Sequence, residues 1–258
     1  MNSVALITGV GSPEGIGFAT ALLLGRRGFR LAITSTTSRI EERAAELQKS
    51  GIEVISQIGD LTRSSVAEQL VSKVIKTYGR IDILVNNAGM VQVGSKEVVL
   101  PFQDLSEEQW DREIAINLKT GIHVTKAVLP HMLRAHHGRV VNVSSVTGPV
   151  ASNPGMSAYS AAKAAMIGWT RALALEVAAH GITVNAVAPG WIQTASSSDK
   201  EIAAGKNTRM RRPGRPEEVA AAIAFLASEE ASYITGQMII VDGGNSIQEF
   251  KGPPELFY

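Results

Sequence analysis

The chain of 258 residues contains no cysteine. Disulfides and thiolate catalysis are therefore excluded, and the composition suits a reducing cytosol. An excess of charge of either sign is also missing. The formal net charge is +1, so no broad field for nucleic acid or a membrane surface is expected. No apolar run reaches the roughly 18 residues that a membrane-spanning helix needs. The opening MNSVALITGV has neither a basic n-region nor a long apolar stretch, so no secretory signal is expected. Repeats, low-complexity tracts and linkers are lacking too, and a single domain over 1–258 is expected. His136 and His137 are adjacent and project apart, with no third ligand near in sequence, so no metal site is expected.

What the chain does have is alternation. VALIT (4–8), RLAIT (30–34), EVISQI (53–58), IDILVNN (81–87), RVVNVSS (139–145), ITVNAVAP (182–189) and MIIVDGG (238–244) read as seven strands. Helical spacing fills 15–28, 39–51, about 62–78, 106–135, about 157–180 and 216–228. Ser106 reads as an N-cap with Glu107, Glu108 and Gln109 in the first turn. Pro216 suits the first turn of its helix. Strands alternating with helices predict an α/β fold, a Rossmann-type doubly wound parallel sheet with helices on both faces.

In such a sheet ligands sit at the carboxyl ends of the strands. After strand one comes TGVGSPEGIG (8–17), whose glycines let a backbone approach a pyrophosphate at a helix N-terminus. The same residues also read as a plain glycine-rich turn. Strand two ends in TSTTSR with no carboxylate to meet a ribose 2′-hydroxyl. Ser35 and Arg39 suit a 2′-phosphate, so NADP(H) is favoured and NAD(H) remains possible. Glu14, near the same pocket, argues mildly for the latter, and Ser38 also reads as a helix cap. Asp60-Leu61 after strand three can meet adenine. NNAG (86–89) after strand four offers Asn86 as a strand tie and Gly89 as a place for close approach. SSVTG (144–148) after strand five sets Ser145 fourteen residues before Tyr159. SAYSAAKAA (157–165) then puts Tyr159 and Lys163 on one helical face.

Taken together and in this order, these motifs resemble the classical short-chain dehydrogenase/reductase family over essentially residues 3–245. The stretches RVVNVSSVTG, AYSAAKAA, GITVNAVAPGWI and GQMIIVDGG are similar to its bacterial 3-oxoacyl-(acyl-carrier-protein) reductase group. The resemblance implies Tyr159 as acid/base, Lys163 as its partner, Ser145 as the carbonyl-orienting hydroxyl and Asn117 as the support of a proton-relaying water. It implies a dinucleotide held by Gly9, Gly15, Ile16 and Gly17, by Ser35, Arg39, Asp60 and Leu61, by Asn87, Ala88 and Gly89, by Tyr159 and Lys163, and by Pro189, Gly190, Ile192 and Thr194. A free phenol titrates near 10, and an adjacent ammonium lowers that by stabilising phenolate. Thr194 also reads as a helix N-cap.

Several features depart from the family pattern. Five residues separate Gly9 from Gly15, where three are usual. Either the loop is longer, or Gly11 takes the first glycine's place. The Ser145–Tyr159 interval is one residue longer than is common, and Ser144 is an alternative serine. His136 and His180 stand where carrier-protein reductases often have arginine, which weakens an acyl carrier protein as partner. The segment after NNAG is long. RMRRPGR (209–215) can meet an anionic substrate tail or form a solvated cap with salt bridges. A substrate lid is expected over about 191–212, and the tail 246–258 either covers a neighbouring site or frays. Trp110 and Trp169 are expected to pack at helices, and Trp191 to line the pocket.

The expected activity is NADPH-dependent reduction of a ketone, 3-oxoacyl or small to medium, in a cytoplasmic homotetramer. The alternatives are an NAD-dependent secondary-alcohol dehydrogenase and a dinucleotide-binding regulator without turnover.

Overall fold

The computed structural model describes residues 3–90 and 98–249. Seven strands form one sheet: β1 (Val4–Thr8), β2 (Arg30–Ser35), β3 (Val54–Ile58), β4 (Ile83–Asn86), β5 (Gly138–Val143), β6 (Ile182–Pro189) and β7 (Met238–Val241). Their order is β3-β2-β1-β4-β5-β6-β7, and every pairing is parallel. β1 is buried from end to end, as a strand covered on both faces must be.

Helices cover both faces. Apolar positions of α1 (Ile16–Arg26), α2 (Arg39–Lys49) and α8 (Pro216–Leu226) pack into one core cluster. Those of α3 (Ser64–Tyr78), α5 (Thr120–Ala135) and α6 (Ser157–Val177) pack into the other. The winding reverses between β1 and β4, so the carboxyl ends of these two strands open the crevice where a ligand belongs.

Two helices differ from the expectation. The stretch 106–135 is not one helix. α4 (Glu107–Ile114) is capped by a box between Ser106 and Gln109, then gives way to a π-helical turn, Ala115–Lys119, before α5 begins. Such a turn has no residue-type signature of its own, so the sequence does not place it. The middle of the expected lid carries a helix, α7 (Asp199–Lys206), and Ser198 and Glu201 form its capping box. The spacing Ser-x-x-Glu is the sequence mark of that box. α6 ends at Val177, and 178–180 tighten into a 3-10 turn.

A buried polar network ties the centre of the sheet to its helices. Asn86 Nδ2 donates to Thr125 Oγ1 and to Asn142 Oδ1, each at 2.8 Å. Asn142 Nδ2 donates to Thr170 Oγ1 at 2.8 Å. The strand tie expected of Asn86 is therefore present, and it extends to α5 and α6. Residues 91–97 and 250–258, which include part of the long segment after NNAG and the end of the tail, lie outside the described residues.

Candidate active site

The loops after β1 and β4 are sewn together. Asn87 Nδ2 donates to the carbonyls of Thr8 and Gly9, both at 3.0 Å. The N–H groups of Asn87 and Ala88 donate to Thr8 Oγ1 at 3.0 and 2.9 Å. Gly9 has φ +72°, and a Cβ there would lie 2.8 Å from Ala88 Cα. At Gly17 a Cβ would lie 2.5 Å from the Gly9 carbonyl oxygen. Only glycines allow α1 to start this close to the sheet. Gly15 is its N-cap and has no side-chain cap, and Ile16 follows as the first helical residue. The first-turn N–H groups are thus available to an anion.

The question of the five-residue spacing has a geometric answer. Gly9 makes the tight turn, and Gly15 N–H donates back to the Ser12 carbonyl at 3.3 Å, closing the extra residues as a small loop. Gly11 does other work. A Cβ on it would lie 3.1 Å from Ser35 Oγ and 3.7 Å from Arg39 Nη2. Ser35, at the end of β2, and Arg39, at the start of α2, therefore meet over the glycine loop. Ser38 makes no side-chain cap bond. Asp60 Oδ1 accepts from Thr62 N at 3.0 Å and Thr62 Oγ1 at 2.7 Å. Leu61 is buried, and its carbonyl lies 3.0 Å from His123 Nδ1.

Across the crevice, β5 delivers Ser144 and Ser145. Ser144 is buried and donates to the Lys163 carbonyl at 2.9 Å. Ser145 stays partly exposed, with Oγ accepting from Thr147 N at 3.0 Å. Tyr159 and Lys163 stand one turn apart on α6, and Lys163 Nζ lies 5.7 Å from the centre of the Tyr159 ring. Lys163 is only 3 % exposed. Its Nζ donates to the Val143 carbonyl at 3.0 Å. Burial pushes the ammonium down from 10.5 to about 8, and the Glu113 carboxylate works in the opposite direction. Asn117 is fully buried in the π-helical turn. Its Oδ1 accepts from Met90 N at 2.7 Å, and its Nδ2 donates to Glu113 Oε2 at 3.0 Å. Gly89 fills the gap between these groups, since a Cβ on it would lie 3.1 Å from Asn117 Oδ1 and 3.3 Å from Lys163 Nζ. Glu113 is a member of this cluster that the motifs miss. A glutamate within a helix reads from sequence as a solvent-facing residue, so no signal there marks it.

β6 supplies the third wall. Val146 N–H donates to the Pro189 carbonyl at 3.0 Å, and Gly190 N–H to the Val241 carbonyl at 2.9 Å. A Cβ on Gly190 would lie 2.6 Å from Asp242 Cβ. Ile192 bridges Gly214, so the segment between leaves and returns through one point. Thr194 is not a helix N-cap, because that role falls to Ser198. The Thr194 N–H donates to Ser197 Oγ at 2.9 Å. Within RMRRPGR, Arg212 pairs with Glu218 at 2.8 and 2.6 Å, and Arg215 lies 3.7 Å from the same carboxylate. The Arg212 hydrogen bond holds Glu218 at about 2. The salt-bridged cap therefore accounts for these two arginines. Trp191 and Trp169 are half-buried, and Trp110 packs edge-on against Phe102, 6.1 Å between ring centres. His136 and His180 lie with ring centres 5.6 Å apart, beside the starts of β5 and β6, at the opposite end of these strands from Ser145. Among the described residues no group of three potential metal ligands occurs, and no helix is long and apolar enough to cross a membrane.

Residues 9–246 match a family model described as enoyl-(acyl carrier protein) reductase. The chain is 40 % identical over 257 residues to the oxidoreductase UcpA of Salmonella typhimurium, covering 95 % of each. It is 41 % identical over 246 residues to the 3-oxoacyl-[acyl-carrier-protein] reductase FabG of Thermotoga maritima, covering 93 % of this chain and 96 % of that one. The crystal structure of levodione reductase superposes with a TM-score of 0.88 at 31 % identity, covering 96 % of this chain and 98 % of the other.

Proposed function

The chain belongs to the classical short-chain dehydrogenase/reductase family of NAD(P)-dependent oxidoreductases and is 3-oxoacyl-(acyl-carrier-protein) reductase-like; on that premise we propose that it reduces a ketone to a secondary alcohol with NADPH. The observation that carries this reading is the buried ammonium of Lys163 beside the Tyr159 ring, at the strand end that also bears Ser145.

The glycine loop fits a dinucleotide. Gly9, Gly15, Ile16 and Gly17 would hold its pyrophosphate, and Asp60 and Leu61 its adenine. Asn87, Ala88, Gly89, Pro189, Gly190, Ile192 and Thr194 would hold the nicotinamide half. Once bound, the cofactor supplies the hydride. The protein's part is the proton and the field. Ser145 donates a hydrogen bond to the carbonyl oxygen and polarises it. Tyr159 passes its phenolic proton to that oxygen, and Lys163 stabilises the phenolate left behind. Asn117 holds the Met90 backbone and so shapes the pocket behind Lys163.

NADPH is preferred on this reading because β2 ends in Ser35 rather than a carboxylate, with the Arg39 guanidinium close by. The substrate is a small or medium ketone. A carrier-protein thioester is less well supported, since His136 and His180, a tilted ring pair, stand in place of two arginines. We take 191–212 as the substrate lid on a single domain, and the cytoplasm as its compartment. A homotetramer is supported by apolar side chains left exposed on α6, α8 and β7, namely Leu175, Phe225 and Ile240.

The test is oxidation of NADPH and NADH with a panel of ketones and β-keto esters. Turnover with NADPH, abolished in Tyr159→Phe with NADPH affinity kept, is the expected result. Absence of turnover with every ketone and alcohol tried, despite tight dinucleotide binding, would favour a regulator and overturn the reading.

A further inference from the structure

A carboxylate is costly to bury without partners, yet Glu113 is only 9 % exposed and stands behind the catalytic cluster. Its Oε2 accepts from Asn117 Nδ2 at 3.0 Å. That bond has a directional consequence. The Asn117 carboxamide has two chemically different ends, and its oxygen accepts from Met90 N at 2.7 Å. Turned over, the amide would set N–H against the Met90 N–H and oxygen against the Glu113 carboxylate, two repulsive contacts in place of two bonds. Glu113 therefore selects one orientation of Asn117. Met90 has φ +61°, and its backbone is held in that left-handed position by the same bond. The preceding Gly89 lies against both Asn117 Oδ1 and Lys163 Nζ.

We propose that Glu113 is a positioning residue of this site, one that fixes the Asn117 carboxamide and sets a buried negative charge against the Lys163 ammonium. Asp111 and Arg112, its neighbours on α4, are exposed. From α6, the titratable groups of the cluster are Lys163 and Tyr159. From the π-helical turn, Lys119 is exposed. The carboxylate opposes the effect of burial on Lys163, so its charge keeps the ammonium protonated to higher pH. An ammonium retained in this way is what the ketoreductase reading asks of Lys163, and the inference rests on that reading for its bearing on catalysis.

The experiment is direct titration of the Lys163 side chain by NMR in protein with 13C-labelled lysines, without cofactor or substrate, for the wild type, Glu113→Asp and Glu113→Gln. The Lys163 midpoint is expected to fall by about one pH unit in Glu113→Gln, a roughly tenfold change in its ionisation constant. Glu113→Asp, which keeps the charge, is expected to lie between. In turnover the high-pH fall of kcat should move down with the midpoint, while KM for NADPH changes less than about threefold. An unchanged Lys163 midpoint in both variants would refute the inference. A wild type that reduces no ketone sinks the functional reading alone, because the titration needs no turnover.

Discussion

Lys163 Nζ donates to the carbonyl oxygen of Val143 at 3.0 Å, which anchors the ammonium of α6 to the end of β5, two residues before Ser145. The bond leaves the lysine buried beside the Tyr159 ring.

That arrangement has a cost in stability. The ammonium is held at about 8 against 10.5, a difference equivalent to roughly 3 kcal/mol. The folded value is the lower one. The penalty is therefore complete below pH 8, shrinks as pH rises, and vanishes above 10.5. Lys163→Met is expected to abolish turnover. It also leaves the buried Glu113 carboxylate and the Val143 carbonyl without the ammonium, so the linkage is read from the pH trend: the wild type should gain stability relative to Lys163→Met between pH 8 and 10.5. A stability difference that does not change over that range contradicts this account.

Gly17→Ala tests the glycine loop. The new methyl would meet the Gly9 carbonyl oxygen at 2.5 Å and Asn87 Nδ2 at 2.6 Å, one of them backbone and neither free to move far. α1 must shift away from the sheet, and its N-terminal N–H groups with it. Dinucleotide affinity, read by calorimetry or fluorescence titration, is expected to fall at least tenfold, equivalent to about 1.4 kcal/mol or more.

The network at the centre of the sheet is a stability device. Asn142→Val removes the acceptor of Asn86 and the donor to Thr170 at once. A buried polar group left unmatched costs about 1–3 kcal/mol. A loss of that size is expected in urea denaturation, while Thr125→Val, which strips one acceptor from Asn86, should cost less. Equal and negligible losses would show that these bonds contribute little.

The seven strands, the glycine loop after β1 and the Tyr159–Lys163 pair on one helix face are legible in sequence because each rests on a local signal: apolar runs, glycines after a strand, and spacing of four on a helix. The π-helical turn at Ala115–Lys119 is not, since it has no capping or residue-type signature within a continuous helical stretch. α7 was legible through its Ser198–Glu201 box, but the serine-rich approach to it reads first as a loop. Glu113 escapes for a different reason. Whether a helical glutamate faces water or a lysine depends on the rotation of α4 against α6, a tertiary fact that one helix does not encode.

Ser35 and Arg39 flank Gly11, and Arg39 Nε donates to Thr37 Oγ1 at 3.3 Å. A 2′-phosphate at this corner would meet a hydroxyl and a guanidinium, and hydrogen bonds to charged groups contribute about 1.5–3 kcal/mol. Arg39→Asp replaces that donor with an anion that repels the phosphate and accepts from a free 2′-hydroxyl. The ratio of kcat/KM for NADPH to that for NADH is expected to drop roughly a hundredfold, chiefly through KM for NADPH. Arg39 is exposed and belongs to no buried network, so the fold should survive and the ratio reports recognition rather than damage. If that ratio stays where the wild type has it, the guanidinium does not read the phosphate, and the preference for NADPH loses its main support.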